Sequence, residues 1–267
     1  AQLFFHVSLG TIALFAARQS RGSMEQYLNR LADVVHRQPD ALAVTDARRQ
    51  ISFKDLDRIS DRLARALHER RQTPNDVYGY LGSPGVERIV ALIAMIKAGA
   101  AIINLDPESP ASVVQDLMAT CDVARLVVEP KYDALARSLC PSEPFVIHEA
   151  LFDEGDASPF RARDCEPEAL AAVLYTSGST GRPKCVPLTR RGLDKRLTRK
   201  FEVLYPRREG SQRSNLVTHF RLFPELYILQ NGETAECFDL RRHGVLAFAD
   251  WLRDRRITIY SSQVSVF

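Results

Sequence analysis

From residue 24 onward, short apolar runs without charge alternate with longer segments whose apolar residues recur every three or four positions. Residues 24–36 place Leu28, Leu31, Val34 and Val35 on one helical face, and DLDRISDRLARALHE does the same with Leu56, Ile59, Leu63 and Leu67. ALAVTD and ISF flank the polar turn DARRQ, which predicts a β-hairpin. The runs DVYGYL, AIINL, RLVVE, PFVIH and ALAAVLY read as strands, the last apolar enough for the middle of a parallel sheet. A helix is expected over 86–97 and another from about Pro110, with Ser109 as its cap. Further on, the pattern predicts a helix near 190–200, strands NLVTH and ITIY, and a helix VLAFADWLRDRR. Strands separated by helices predict a layered α/β fold with largely parallel sheets. No internal repeat or low-complexity tract interrupts it.

The 267 residues have room for one large domain or two smaller ones of roughly 100–200 residues each. With 45% apolar and 26% charged residues the chain is neither disordered nor fibrous, and a net charge of +3 argues for no nucleic-acid partner. Eleven Lys or Arg against three acids fall within residues 182–213, either a basic approach to an anionic ligand or a solvated helix face. The five cysteines form no CxxC pair and have no histidine at ligand spacing, so neither a metal site nor a disulfide framework is indicated. A reducing, cytoplasmic setting fits best. Residues 1–23 contain the uncharged stretch LFFHVSLGTIALFAA, short of the ~18 apolar residues of a membrane helix and without the basic start of a signal peptide. It reads as a buried or domain-joining segment, with a membrane anchor as the alternative.

The strand ALAAVLY runs into TSGSTGRPK. Gly178 and Gly181 permit unusual backbone angles and leave amides uncovered, so successive N–H groups can form an anion-binding nest. Thr176, Ser177, Ser179 and Thr180 add hydroxyl donors, and Lys184 adds a full charge. The segment suits the oxygens of a polyphosphate better than it suits an ordinary surface turn. It is not a Walker loop, because Pro183 precedes Lys184 and Cys185 follows it.

YTSGSTGRPK at 175–184 resembles the phosphate-binding signature of the adenylate-forming enzymes, which include acyl-CoA synthetases, luciferases and the adenylation domains of nonribosomal peptide synthetases. ISFKDL at 51–56 and IKAGAAIINLDPESP at 96–110 are similar to two further elements of that family, in the same order. QPDALAV and the LDP run lean towards peptide-synthetase adenylation domains, and the resemblance covers residues 24–267 as a partial N-terminal domain. The resemblance implies ATP with Mg2+ and a carboxylic acid that attacks the α-phosphate. It also implies an acceptor thiol, the phosphopantetheine of a carrier protein or CoA. It places Thr176, Ser177, Gly178, Ser179, Thr180, Gly181 and Lys184 on the phosphates.

Three departures accompany it. Cys185 stands where the family has glycine; as a nucleophile it lacks an activating environment beyond Lys184. Residues 215–233 contain no aspartate to pair with a substrate α-amine, which implies an aryl, hydroxy, keto or fatty acid, or a decayed site. His219, Phe220 and Phe223 in that region are candidates for the acyl pocket, with plain structural roles as the alternative. The sequence ends at ITIYSSQVSVF, before the base loop, the ribose-binding aspartate and the terminal lysine of the family, so this polypeptide alone is expected not to form an acyl-adenylate. An acyl-CoA synthetase and a non-catalytic nucleotide-binding remnant stay open as alternatives.

Overall fold

The computed structural model describes residues 24–176 (apart from 74, 154, 156, 157 and 163–165), 184–200, 214–217, 222–255, 257 and 259–260. The leader 1–23 lies outside the described residues. In chain order the elements are α1 (Met24–Arg37), β1 (Leu42–Thr45), β2 (Gln50–Ser52), α2 (Phe53–Glu69), β3 (Val77–Leu81), α3 (Val86–Ala98), β4 (Ala101–Leu105), α4 (Ala111–Thr120) and β5 (Val123–Val128). There follow α5 (Asp133–Leu139), β6 (Phe145–Val146), β7 (Leu170–Thr176), β8 (Lys184–Thr189), α6 (Arg190–Lys195), β9 (Ser214–Val217), α7 (Leu222–Gln230), β10 (Thr234–Cys237), α8 (Leu240–Asp254) and β11 (Ile259–Tyr260).

Two sheets result. One has the order β6-β5-β3-β4-β7-β8 and is parallel except for β8, which runs antiparallel to β7. The other has the order β11-β9-β10-β1-β2, parallel except for the predicted β1–β2 hairpin. Side chains alternate along the strands of the larger sheet. Tyr78, Tyr80, Ile102, Val127 and Ala172 enter the main core with α1, α2 and α3, whereas Val77, Leu81, Ile103, Leu105, Leu126, Val128 and Val173 face a second cluster with α4 and α5. Ala43 and Val44 of β1, with Ala235 and Cys237 of β10, join the first cluster, so α2 and α3 fill the space between the sheets.

That position explains α3, whose thirteen residues are all buried, its charges included. A helix apolar around its whole circumference needs a partner on every side. Its charged residues each find one. Lys97 donates to Asp57 at 2.6 Å and Asp61 at 2.7 Å on α2, Glu87 pairs with Arg48 at 2.8 Å, and Arg88 pairs with Glu225 of α7 at 2.8 Å. The N-terminus is capped from the β1–β2 turn, where Asp46 accepts the Val86 amide at 2.9 Å. At the other end Gly99 takes φ 80° and its amide donates to Ile96, while Ala100 donates to Met95. This left-handed cap is open to glycine and strained for alanine. Gly99→Ala is accordingly expected to lower unfolding free energy by about 1–2 kcal/mol in a denaturant titration.

The helix after β4 differs from expectation at its start. Its cap residue is Pro110, and Ser109 caps nothing; the Ser109 amide instead closes a turn on Asp106. β7 is not central either, lying between β4 and the edge strand β8. The last long helix starts at Leu240 rather than Val245, because Asp239 accepts the Arg242 amide at 3.2 Å, and Gly244, at φ 78°, kinks it. α7, β8, β10 and the short α5 had no prediction.

Candidate functional site

β3 and β4 are neighbours, and their connections leave on opposite faces of the sheet. α3 crosses on the inner face and α4 on the outer one. Such a parting of connections opens a crevice beyond the carboxyl ends of the strands, which is where α/β folds hold ligands. A cavity of about 320 Å3 occupies this place, lined by Ser83 and Pro84 after β3, Pro107 and Glu108 after β4, Lys131 and Tyr132 after β5, and Asp239 to Arg242 at the start of α8.

The groups at this edge are locked together. Glu129, 3% exposed at the end of β5, accepts from the Tyr80 hydroxyl at 3.1 Å and from the Ser83 amide. Lys131 donates to the Ser83 hydroxyl at 2.8 Å, and Tyr132 lies 3.2 Å from the same oxygen. Asp106, just past β4, takes a two-pronged ion pair from Arg241 at 2.8 and 2.9 Å. This contact raises the guanidinium pKa further. Burial pushes the Tyr175 phenol up, reinforced by the Asp106 carboxylate just past the neighbouring strand.

β7 runs parallel to β4, with Ile102 opposite Ala172, so Thr176 emerges at the same carboxyl edge as the cavity. β8 returns antiparallel with Lys184 directly opposite Thr176. Ser177, Gly178, Ser179, Thr180 and Gly181 lie in the connection between these two residues and outside the described residues. The Lys184 side chain is exposed, and its ammonium makes no ion pair among the described residues. A cation at the carboxyl edge of a parallel sheet, uncommitted to any described carboxylate, fits an incoming polyphosphate.

Among the described residues no three His, Cys, Asp or Glu side chains group into a metal cage. Mg2+ arriving on a nucleotide needs none, since phosphate oxygens and water supply most of its ligands and one or two carboxylates suffice.

Of the acyl-pocket candidates, His219 and Phe220 lie outside the described residues, and Phe223 is placed in α7 with its side chain outside them. Cys185 does have a described neighbour, the Cys121 sulfur 3.0 Å away. Sequence reasoning missed the Asp106–Arg241 pair and the cluster of Glu129, Ser83, Lys131 and Tyr132. Only the LDP run around Asp106 carried a signal; nothing in the sequence around Arg241 marks it as a partner 135 residues away.

A family model described as AMP-binding enzyme matches residues 31–261. Cyclosporin synthetase simA of Tolypocladium inflatum is 32% identical over 206 residues, covering 75% of this chain and 1% of that protein. Tyrocidine synthase 2 of Brevibacillus parabrevis is 26% identical over 261 residues, covering 94% of this chain and 7% of that protein. The crystal structure of the nonribosomal peptide synthetase FmoA3 in its AMPPNP-bound form superposes with a TM-score of 0.75 at 23% identity, covering 91% of this chain and 26% of that one. The chain thus spans a small fraction of these relatives' length. No described helix is long and apolar enough to cross a membrane.

Proposed function

The chain belongs to the family of AMP-binding enzymes and has the fold of the N-terminal part of a peptide-synthetase adenylation domain, and on that premise we propose that it holds ATP for the activation of a carboxylic acid as an acyl-adenylate. The acyl group is then passed to the phosphopantetheine thiol of a carrier protein. The observation that carries this reading is the pairing of Thr176 with Lys184 at the carboxyl edge of the larger sheet, which anchors both ends of the donor-rich connection beside an exposed ammonium.

Bound ATP supplies the anhydride at which the carboxylate attacks and from which pyrophosphate departs. The chain's own part is electrostatic. Lys184, the amides about Gly178 and Gly181, and the hydroxyls of Thr176, Ser177, Ser179 and Thr180 face the β- and γ-phosphates. They meet negative charge as it shifts towards the leaving group, with the Thr176 and Lys184 backbones held opposite each other by the β7–β8 pairing. Mg2+ rides on the same oxygens.

The acid lacks an α-amine. Residues 215–233 offer Glu225 and Glu233 as their only acids, and the Glu225 carboxylate is fully buried against Arg88 at 2.8 Å, already neutralised by a guanidinium. A substrate ammonium beside Glu225 would find that carboxylate already engaged by Arg88 and would bear the cost of a poorly paired buried charge. Hydroxy, keto, aryl or fatty acids avoid it.

Calorimetric titration of the chain with a non-hydrolysable ATP analogue and Mg2+ tests the nucleotide half of the proposal, with saturable one-to-one heat expected and featureless heat counting against it. For the acid half, the full-length protein is expected to support ATP–pyrophosphate exchange with α-hydroxy, α-keto or aryl acids. Faster exchange with the matching α-amino acids would reverse the assignment.

A further inference from the structure

Cys121 closes α4 as its C-terminal cap, and the chain leaves it through Asp122 in a left-handed conformation at φ 49°. Cys185 is the second residue of β8, next to Lys184. The two are 64 positions apart in sequence, yet both pack half-buried against the outer cluster of the larger sheet with their sulfurs 3.0 Å apart. Two sulfurs that only touch would sit farther apart than this, and a disulfide at about 2.0 Å requires a shift of about 1 Å. Cys140 and Cys237 are buried.

We propose that Cys121 and Cys185 are a reversible dithiol–disulfide site that fastens the end of α4 to the strand carrying Lys184. The oxidant is a low-molecular-weight disulfide. The Cys185 thiolate attacks one of its sulfurs, breaking that S–S bond and releasing one small thiolate. Cys121 then gives up its proton and attacks the Cys185 sulfur of the mixed disulfide, forming the Cys121–Cys185 bond and releasing the second small thiolate. The two protons lost by the protein end on the two released thiols, and the two electrons go from the cysteine pair to the oxidant. The order of attack follows from the surroundings. Burial, and next the Cys185 thiol, push the Cys121 thiol up to about 12, so Cys121 stays protonated until the mixed disulfide is beside it. Cys185 sits on an edge strand with Lys184 exposed on one side and Val186 on the other. In a reducing compartment such a bond forms transiently, as a response to oxidation and not as part of the framework.

Neither the bond nor its test depends on the nucleotide reading, since neither uses ATP. The purified chain is equilibrated with glutathione buffers of increasing oxidised fraction, quenched with an alkylating reagent and mapped by peptide mass spectrometry. Free thiols are expected to fall from five to three, with one cross-linked species joining the peptides of Cys121 and Cys185 and dithiothreitol restoring all five. The oxidised chain is expected to melt several degrees higher, because the bond closes a long loop in the unfolded state. Cys121→Ser should stop the reaction at a glutathione adduct on Cys185, and Cys185→Ser should leave Cys121 unmodified. A wild-type chain that accumulates only mixed glutathione adducts, or that cross-links other cysteines, overturns the proposal. The wild-type map decides the matter even where a serine variant folds poorly.

Discussion

Arg88→Met is expected to cost the fold about 3–5 kcal/mol near pH 8, a large share of what a domain of this size has to lose. Arg88 on α3 and Glu225 on α7 are both 0% exposed at their side chains and meet at 2.8 Å. Removing the guanidinium strands a carboxylate where no water reaches. The double variant Arg88→Met/Glu225→Leu should recover most of the loss, since desolvating two charges consumes much of what their attraction returns. Urea titrations of the four forms measure this as a double-mutant cycle. A single variant within 1 kcal/mol of wild type would contradict the pairing.

The same pair sets a pH dependence. Burial outweighs the attraction of Arg88 and pushes the Glu225 carboxyl from 4.5 up to about 7. Its folded pKa is therefore above its unfolded one, and the folded state binds the proton more tightly. The resulting stability is fully present below about 4.5 and is lost as pH rises through 7. A gap of this size corresponds to roughly 3 kcal/mol across that window. Glu225→Gln should flatten the profile between these limits, and an unchanged slope would assign the dependence to other groups.

The second large effect concerns the loop. Replacing Thr180 and Lys184 together by alanine is expected to abolish detectable nucleotide binding, a loss of at least about 100-fold, since charge-assisted hydrogen bonds contribute roughly 1.5–3 kcal/mol each. Lys184→Arg should retain part of the affinity, because it keeps the charge and changes its shape. The variants should unfold like wild type, as the Lys184 side chain is exposed and among the described residues it pairs through its backbone opposite Thr176. Unchanged affinity in the double variant would remove these residues from the phosphate site.

Much of the scaffold was legible in the sequence because it rests on periodicity. The continuous apolar runs in DVYGYL and AIINL gave strands, the Leu56–Leu67 spacing gave α2, and the helix expected over 86–97 is α3. What escaped depends on contacts between distant segments. KCVPLT carries an exposed lysine and a proline and became a strand only because β7 offers it an edge, with Val173 opposite Pro187. Ser109 and Pro110 both suit a helix start, and a turn on Asp106 decided between them. At the site, the donor-rich loop stood out by composition alone. The pairing of Asp106 with Arg241, the buried Glu225 and the meeting of Cys121 with Cys185 are products of the fold, joining residues 64 to 137 positions apart. No local pattern encodes them.

In the proposed site the Thr176–Lys184 connection grips a triphosphate, and differential amine labelling tests this at the lysine itself. Lys184 is exposed and should acylate readily in the free chain, then become protected more than about 10-fold across a MgATP titration, while Lys54, exposed on α2, reacts as before. Lys184 that labels equally at every nucleotide concentration, with protection appearing elsewhere or nowhere, would contradict it.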